Sequence, residues 1–268
     1  MAGTLSGLFF RNELKRGLLL CAALLLPFAF SACGKAPGGG KTLRVLFIGN
    51  SLTYVNDLPG LLAQLAKSRD SKMEYEMYAP GGYTLAGHSA DPQLLAKINK
   101  GAWDIVVLQE QSQLPAYPWA ETQVFPYAQK LSQLARTASP GVKIAFYMTM
   151  AKRNGDTQNL RDFPSMGTYD GMQQKLNTAY SRMAAENRGI LVPVGPVWQK
   201  VRSHEPSLEL YADDTHPNLT GSYLAACVFY AVLFGDTPAG LTHPPQLSDD
   251  TAAMLQREAA DGAAAPGP

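Results

Sequence analysis

The chain has 268 residues, 46% of them hydrophobic, which suits one globular domain of ordinary size. Its 23 Lys and Arg against 22 Asp and Glu leave a formal net charge of +1. Binding nucleic acid needs a basic face, so no nucleic-acid partner is expected. With no long run of like charge, neither an acidic tail nor a basic arm is expected either.

In chain order the first signal is N-terminal. Arg11, Lys15 and Arg16 precede the apolar run Leu18 to Phe30, which leads into Ser31-Ala32-Cys33. A positive segment, a short apolar segment and small residues before a cleavage point describe a secretory signal. The apolar run falls short of the roughly 17–25 residues that a bilayer crossing takes. Its end, Phe30-Ser31-Ala32-Cys33, resembles a bacterial lipobox with Phe30 in place of the usual Leu. That resemblance implies a lipoprotein signal over residues 1–32, lipid on Cys33, and export to the bacterial cell envelope. Gly34 stands where an inner-membrane-retention Asp would, which implies outer-membrane sorting. The alternatives are an uncleaved anchor helix or cleavage without lipidation. Of the three Cys, Cys21 lies in the signal and Cys227 in an apolar helical run, so no internal disulfide is expected.

Residues 33–41 read as a flexible Gly/Pro linker, and the folded domain starts near residue 42. Leu43–Ile48, Met73–Tyr78, Asp104–Leu108, Val142–Met148 and Ile190–Val194 read as strands, the third of them strongly apolar and β-branched. Between them Leu58–Lys67, Gln93–Asn99, Glu121–Thr137 and Gly171–Asn187 have helical spacing, and Leu219–Phe234 follows the last strand. Such alternation predicts an α/β fold, a mostly parallel sheet with helices on both faces. Sites on such sheets lie beyond the carboxyl ends of the strands. The irregular stretch Ala151–Asp170 falls on that side, as a wall or lid or else as a disordered loop. The domain is expected over residues 42–236, with a partly disordered extension over 237–268.

Directly after the first strand comes Gly49-Asn50-Ser51-Leu52-Thr53. A Ser there sits at the sheet's carboxyl edge with its hydroxyl exposed, although strand–Gly-x-Ser also occurs in phosphate loops and plain turns. Near the other end, Asp213-Asp214-Thr215-His216-Pro217-Asn218 precedes the last helix. The spacing Asp-x-x-His lets a carboxylate accept from imidazole Nδ1–H and leaves Nε2 to take a proton from Ser. The same spacing is common in helix N-caps, a role open to Asp214 or Asn218.

Four ordered blocks carry a resemblance to the SGNH/GDSL hydrolase family: Gly49-Asn50-Ser51-Leu52, Pro80-Gly81-Gly82-Tyr83-Thr84-Leu85, Asp104 to Ser112, and Asp213-x-x-His216-Pro217. They cover about residues 43 to 235. The resemblance implies a three-layer α/β/α sandwich around a five-stranded, mostly parallel, flavodoxin-like sheet. It implies Ser51 as nucleophile, His216 as base and Asp213 as orienting acid, with Asp214 the second choice. Backbone N–H groups of Ser51 and Gly82 match oxyanion-hole donors. Asn50 stands where the family has Asp, and the family's third-block Gly-x-Asn is missing. A Gln of Gln109-Glu110-Gln111-Ser112-Gln113 is expected to supply that amide: Gln111 first, then Gln109, then Gln113.

The implied activity is hydrolysis of carboxylic esters through an acyl-enzyme, with no metal or organic cofactor. The expected substrate is a small ester or acylated glycan. The alternatives are a lipid esterase or lysophospholipase, a non-catalytic binding lipoprotein, and a flavodoxin-like nucleotide binder. His88 reads as a surface or capping residue. Tyr117, Trp119 and Phe163 read as loop aromatics suited to sugar stacking, acyl contact or anchoring.

Overall fold

The apolar run Leu43–Ile48 forms β1, the second strand of the sheet, and its last four residues are fully buried. The structure is a computed structural model describing residues 42–264. The signal segment 1–32, the linker 33–41 and Cys33 lie outside the described residues. After β1 come α1 (Ser51–Tyr54), α2 (Leu58–Lys67), β2 (Met73–Tyr78), α3 (Leu85–His88), α4 (Pro92–Asn99), β3 (Ile105–Leu108), α5 (Ala120–Gln123), α6 (Phe125–Ala138), β4 (Lys143–Tyr147), α7 (Tyr169–Glu186), β5 (Ile190–Val192), α8 (Val194–His204), α9 (Leu219–Phe234) and α10 (Asp249–Ala264).

All strand pairs are parallel and the order is β2-β1-β3-β4-β5. The period-2 alternation of each strand divides the core into two layers. Val45, Phe47, Ile105, Val107, Ala145 and Tyr147 share one layer with apolar residues of α2, α8, α9 and α10. Leu46, Ile48, Val106, Leu108, Ile144 and Phe146 face α4, α6 and α7. The chain leaves β1 for β2 on one side and returns to β3 on the other, so the order reverses between β1 and β3. The crevice at that reversal, beyond Ile48 and Leu108, is where such sheets place a site. This is the expected three-layer α/β/α sandwich with a five-stranded sheet.

Three readings change. The last strand ends at Val192 rather than Val194, and α8 follows it where no helix was expected. Pro196 falls in the first turn of α8, where N–H groups have no intrahelical acceptor, so it costs the helix little. Gly195 is there for close packing: a Cβ would meet Gln173 Nε2 at 2.1 Å and Thr149 O at 2.5 Å. The stretch 151–170 contains two short 3-10 turns, Thr157–Asn159 and Pro164–Met166, and α7 starts at Tyr169.

Within the extension 237–268, the described residues Asp249–Ala264 form α10. Ala252, Leu255, Gln256 and Ala259 form a buried stripe at helical spacing. Gln256 donates to Tyr223 Oη at 2.7 Å and Leu241 O at 2.9 Å and accepts from Gly240 N at 2.8 Å. Ala-rich sequence such as this forms helix readily once one face is covered.

Candidate active site

Ser51 opens α1 immediately past β1, on a turn built from distant partners. Gly49 has no room for a side chain, since a Cβ would meet Thr53 Oγ1 at 2.3 Å and Gln109 Oε1 at 2.4 Å. Gln109, fully buried, accepts from Asn50 N and from Thr53 Oγ1, each at 2.8 Å. Its Nε2 donates to Asn50 Oδ1 at 2.9 Å and to Glu110 O. Asn50 in turn caps α1 by accepting from Leu52 N at 3.2 Å and donates to Tyr83 O at 2.9 Å. The residue in the family's Asp position thus ties the Ser51 turn to the Gly81-Gly82 loop.

His88, expected at the surface, is fully buried instead. Its Nε2 lies 2.7 Å from Gly49 O, and its ring packs against Tyr78 and Tyr83. A carbonyl only accepts, so Nε2 carries the proton. Burial holds the His88 pKa below the ordinary imidazole value, against the pull of the Gly49 carbonyl and Asp91 in the other direction. His88 is therefore a neutral prop beneath the turn. Nothing in its local sequence signals this, because its partner lies 39 residues away.

The loop before α9 brings the other predicted residues to Ser51. His216 Nε2 is 2.9 Å from Ser51 Oγ, and His216 Nδ1 is 2.8 Å from Asp213 Oδ2. Asp213 Oδ1 accepts from the amides of Thr215 and His216, each at 2.7 Å. Partial burial works to raise the Asp213 pKa, but those amides and the imidazole outweigh it and hold the carboxyl down at about 2. Asp214 takes a different part: its backbone carbonyl accepts from Arg153 N at 2.8 Å and its Oδ1 from Asn154 Nδ2 at 3.2 Å. The capping role falls to Asn218, which accepts from Gly221 N at 3.0 Å.

Asn56 is a further positioning residue that the sequence reading missed. It sits in the left-handed region at φ 55°, a conformation that Asn tolerates better than most residues. Its amide donates to Pro217 O at 3.1 Å and Ser222 Oγ at 2.9 Å, joining the segment after Ser51 to the one after His216. The His216 and Asp213 side chains remain 34% and 58% exposed, so the constellation opens to solvent.

Of the expected oxyanion donors, neither Ser51 N–H nor Gly82 N–H meets an acceptor among the described residues. Gly82 adopts φ 70° in a turn closed by Tyr83 N donating to Pro80 O at 3.2 Å, and that left-handed geometry favours glycine. Gln109 is removed as a candidate, because both its amide hydrogens and its oxygen are engaged beneath the turn. Gln111 Oε1 accepts from Gln113 N and Leu114 N, each at 3.0 Å, while its Nε2 has no hydrogen bond among the described residues.

The predicted loop aromatics form a separate cluster. Trp119 stacks on Tyr117 with centroids 4.4 Å apart, and Phe163 packs edge-on against both. Tyr117 donates to the buried Asp156. A cleft of about 350 Å³ beside them is lined by Tyr117, Phe163, Lys175 and Arg182 among others, and not by Ser51 or His216. It is not part of the constellation.

No family model and no curated protein matches the chain. Among solved structures, a DUF4886 family protein from Bacteroides uniformis, 17% identical, aligns over 83% of this chain and 95% of its own with a TM-score of 0.71. An acetylxylan esterase from Geobacillus stearothermophilus, also 17% identical, aligns over 72% and 94% with a TM-score of 0.51. These two are likenesses of fold. A protein from Slackia heliotrinireducens assigned to the SGNH hydrolases is 30% identical, over 72% of this chain and all of its own, with a TM-score of 0.59. Matched along the full length of that relative, the chain belongs to the SGNH hydrolase family.

Proposed function

We propose that this protein is a serine esterase working through an acyl-enzyme on small acyl groups, such as acetyl, carried by a glycan. The observation that carries the proposal is the continuous contact Ser51 Oγ–His216 Nε2–Nδ1–Asp213 Oδ2, at 2.9 and 2.8 Å. A hydroxyl is a weak nucleophile at neutral pH and needs such a base.

Ser51 Oγ attacks the ester carbonyl carbon while His216 Nε2 takes the hydroxyl proton. The carbonyl π pair moves to oxygen, and the Ser51 and Gly82 N–H groups with the Gln111 amide receive that oxyanion. Collapse breaks the bond to the alcohol oxygen, which leaves with the proton from His216, and the acyl group stays on Ser51. A water then gives a proton to His216 and attacks the acyl carbon; the bond from that carbon to Ser51 Oγ breaks, Ser51 takes the proton back from His216, and the carboxylic acid leaves. Asp213, held ionised down to about pH 2, fixes the His216 tautomer throughout.

Support for small acyl groups comes from the open, polar surroundings of Ser51 and from the structural neighbour named an acetylxylan esterase. Export and lipidation at Cys33 belong to the same proposal, since they would bring the enzyme to extracellular glycans. Incorporation of labelled palmitate that disappears in Cys33→Ala checks the anchor. Rates on p-nitrophenyl esters of increasing chain length check the substrate class. Acetate should exceed octanoate by about tenfold or more, and octanoate exceeding acetate would replace this reading with a lipid esterase.

A further inference from the structure

Glu110 follows Gln109 and is fully buried. Its Oε1 accepts from Leu85 N at 3.1 Å and from Gln111 N at 2.6 Å, and its Oε2 lies 3.2 Å from the same Leu85 amide. Leu85 opens α3, three residues beyond Gly82. Gln111 starts the turn that carries the unengaged side-chain amide. One carboxylate therefore bonds to both segments that flank the Ser51 turn with candidate oxyanion donors.

No cation pairs with this carboxylate among the described residues. The titratable group that faces it is Tyr180 on α7, whose hydroxyl accepts from Glu110 N at 3.2 Å. Burying a carboxylate with no counter-ion is unfavourable, and a neutral side chain would fill the space without that penalty. What the charge adds is strength of hydrogen bonding, since an ionised acceptor binds N–H groups about twice as strongly as a neutral one.

We infer that Glu110 is a positioning residue whose ionised carboxylate holds the Gly82 loop and the Gln111 turn at the spacing an oxyanion requires. The inference rests on the esterase reading. Burial pushes the Glu110 pKa up to about 7, against the pull of the Gln111 and Leu85 amides. The carboxylate is thus lost as pH falls through that value, and the two segments loosen together.

The test is steady-state hydrolysis of p-nitrophenyl acetate between about pH 5 and about pH 9 by wild-type and Glu110→Gln protein. Active serine is counted by fluorophosphonate labelling carried to completion. Gln keeps a neutral acceptor at Oε1 and removes the charge. Expected is a fall in kcat per labelled serine of about tenfold at high pH with KM within about twofold, because misplaced donors weaken the transition state more than binding. The wild-type acid limb of kcat/KM should fit two ionisations and the variant's one. Wild-type kcat per labelled serine and an unchanged acid limb in the variant overturn the inference. Should Glu110→Gln fail to fold, the wild-type limb decides: two ionisations support it and one overturns it. A folded wild-type protein that neither labels nor hydrolyses ester overturns the esterase reading and this inference with it.

Discussion

Beneath Ser51 the fold places side chains whose hydrogen bonds tie down its turn and the segments beside it. Gln109 binds Asn50 and Thr53, His88 binds the Gly49 carbonyl, and Glu110 binds the segments on either side. Glu110 makes a separate thermodynamic prediction. A carboxyl raised from 4.5 to about 7 in the folded state binds its proton more tightly there than in the unfolded chain. Its contribution to stability is full below the unfolded value and is lost as pH rises through about 7. At about 1.4 kcal/mol per pH unit, the loss is on the order of 3 kcal/mol. Glu110→Gln should therefore gain stability relative to wild type as pH rises from about 4 to about 8, measured by urea unfolding. A difference that stays constant with pH would contradict this environment. Protein more stable and yet slower at high pH is what a site organised for function rather than stability should give.

At the scale of elements, local sequence accounts for most of what was legible. Each block of the candidate site is contiguous: Gly49-Asn50-Ser51 closes β1, and Asp213 reaches His216 within one turn. Their meeting is set by topology, because β1 lies at the reversal of strand order. The roles that local sequence does not show are played over distance. Gln109 reaches Asn50 across 59 residues and Asn56 reaches Pro217 across 161. The helix α8 was hidden by Pro and Gly in its first turn. Asn56→Gly isolates the distant contact, since Gly accepts φ 55° without strain but has no amide to donate. Its kcat should fall roughly tenfold with KM little changed, through looser Ser51–His216 alignment. Wild-type kcat in Asn56→Gly would show that the bridge to Pro217 does not position the pair.

Across the whole molecule, α9 is the common member of one core layer. It is buried continuously from Gly221 to Tyr230, with α2 on one side and α8 and α10 alongside. Asn218, which caps α9, lies two residues past His216, so the packing of this helix anchors the loop that carries the base. The C-terminal α10 completes that packing, and Leu255 in its buried stripe is fully covered. Leu255→Ala should destabilise the protein by about 2–5 kcal/mol in urea unfolding. A change under about 1 kcal/mol would mean that α10 is not part of the cooperative unit. Two core layers on a parallel sheet thus hold the strand ends rigid, while the constellation itself stays open to solvent.

The central claim is that Ser51 is a nucleophile activated by His216 and oriented by Asp213. Covalent labelling of the folded protein by a fluorophosphonate, followed by peptide mass spectrometry, tests it most directly. The expected result is a single adduct on Ser51, absent in Ser51→Ala and slowed by roughly 10³–10⁴-fold in Asp213→Asn, where the His216 tautomer is no longer held. Folded wild-type protein that takes no label at Ser51, or labels equally fast without the Asp213 carboxylate, would contradict it.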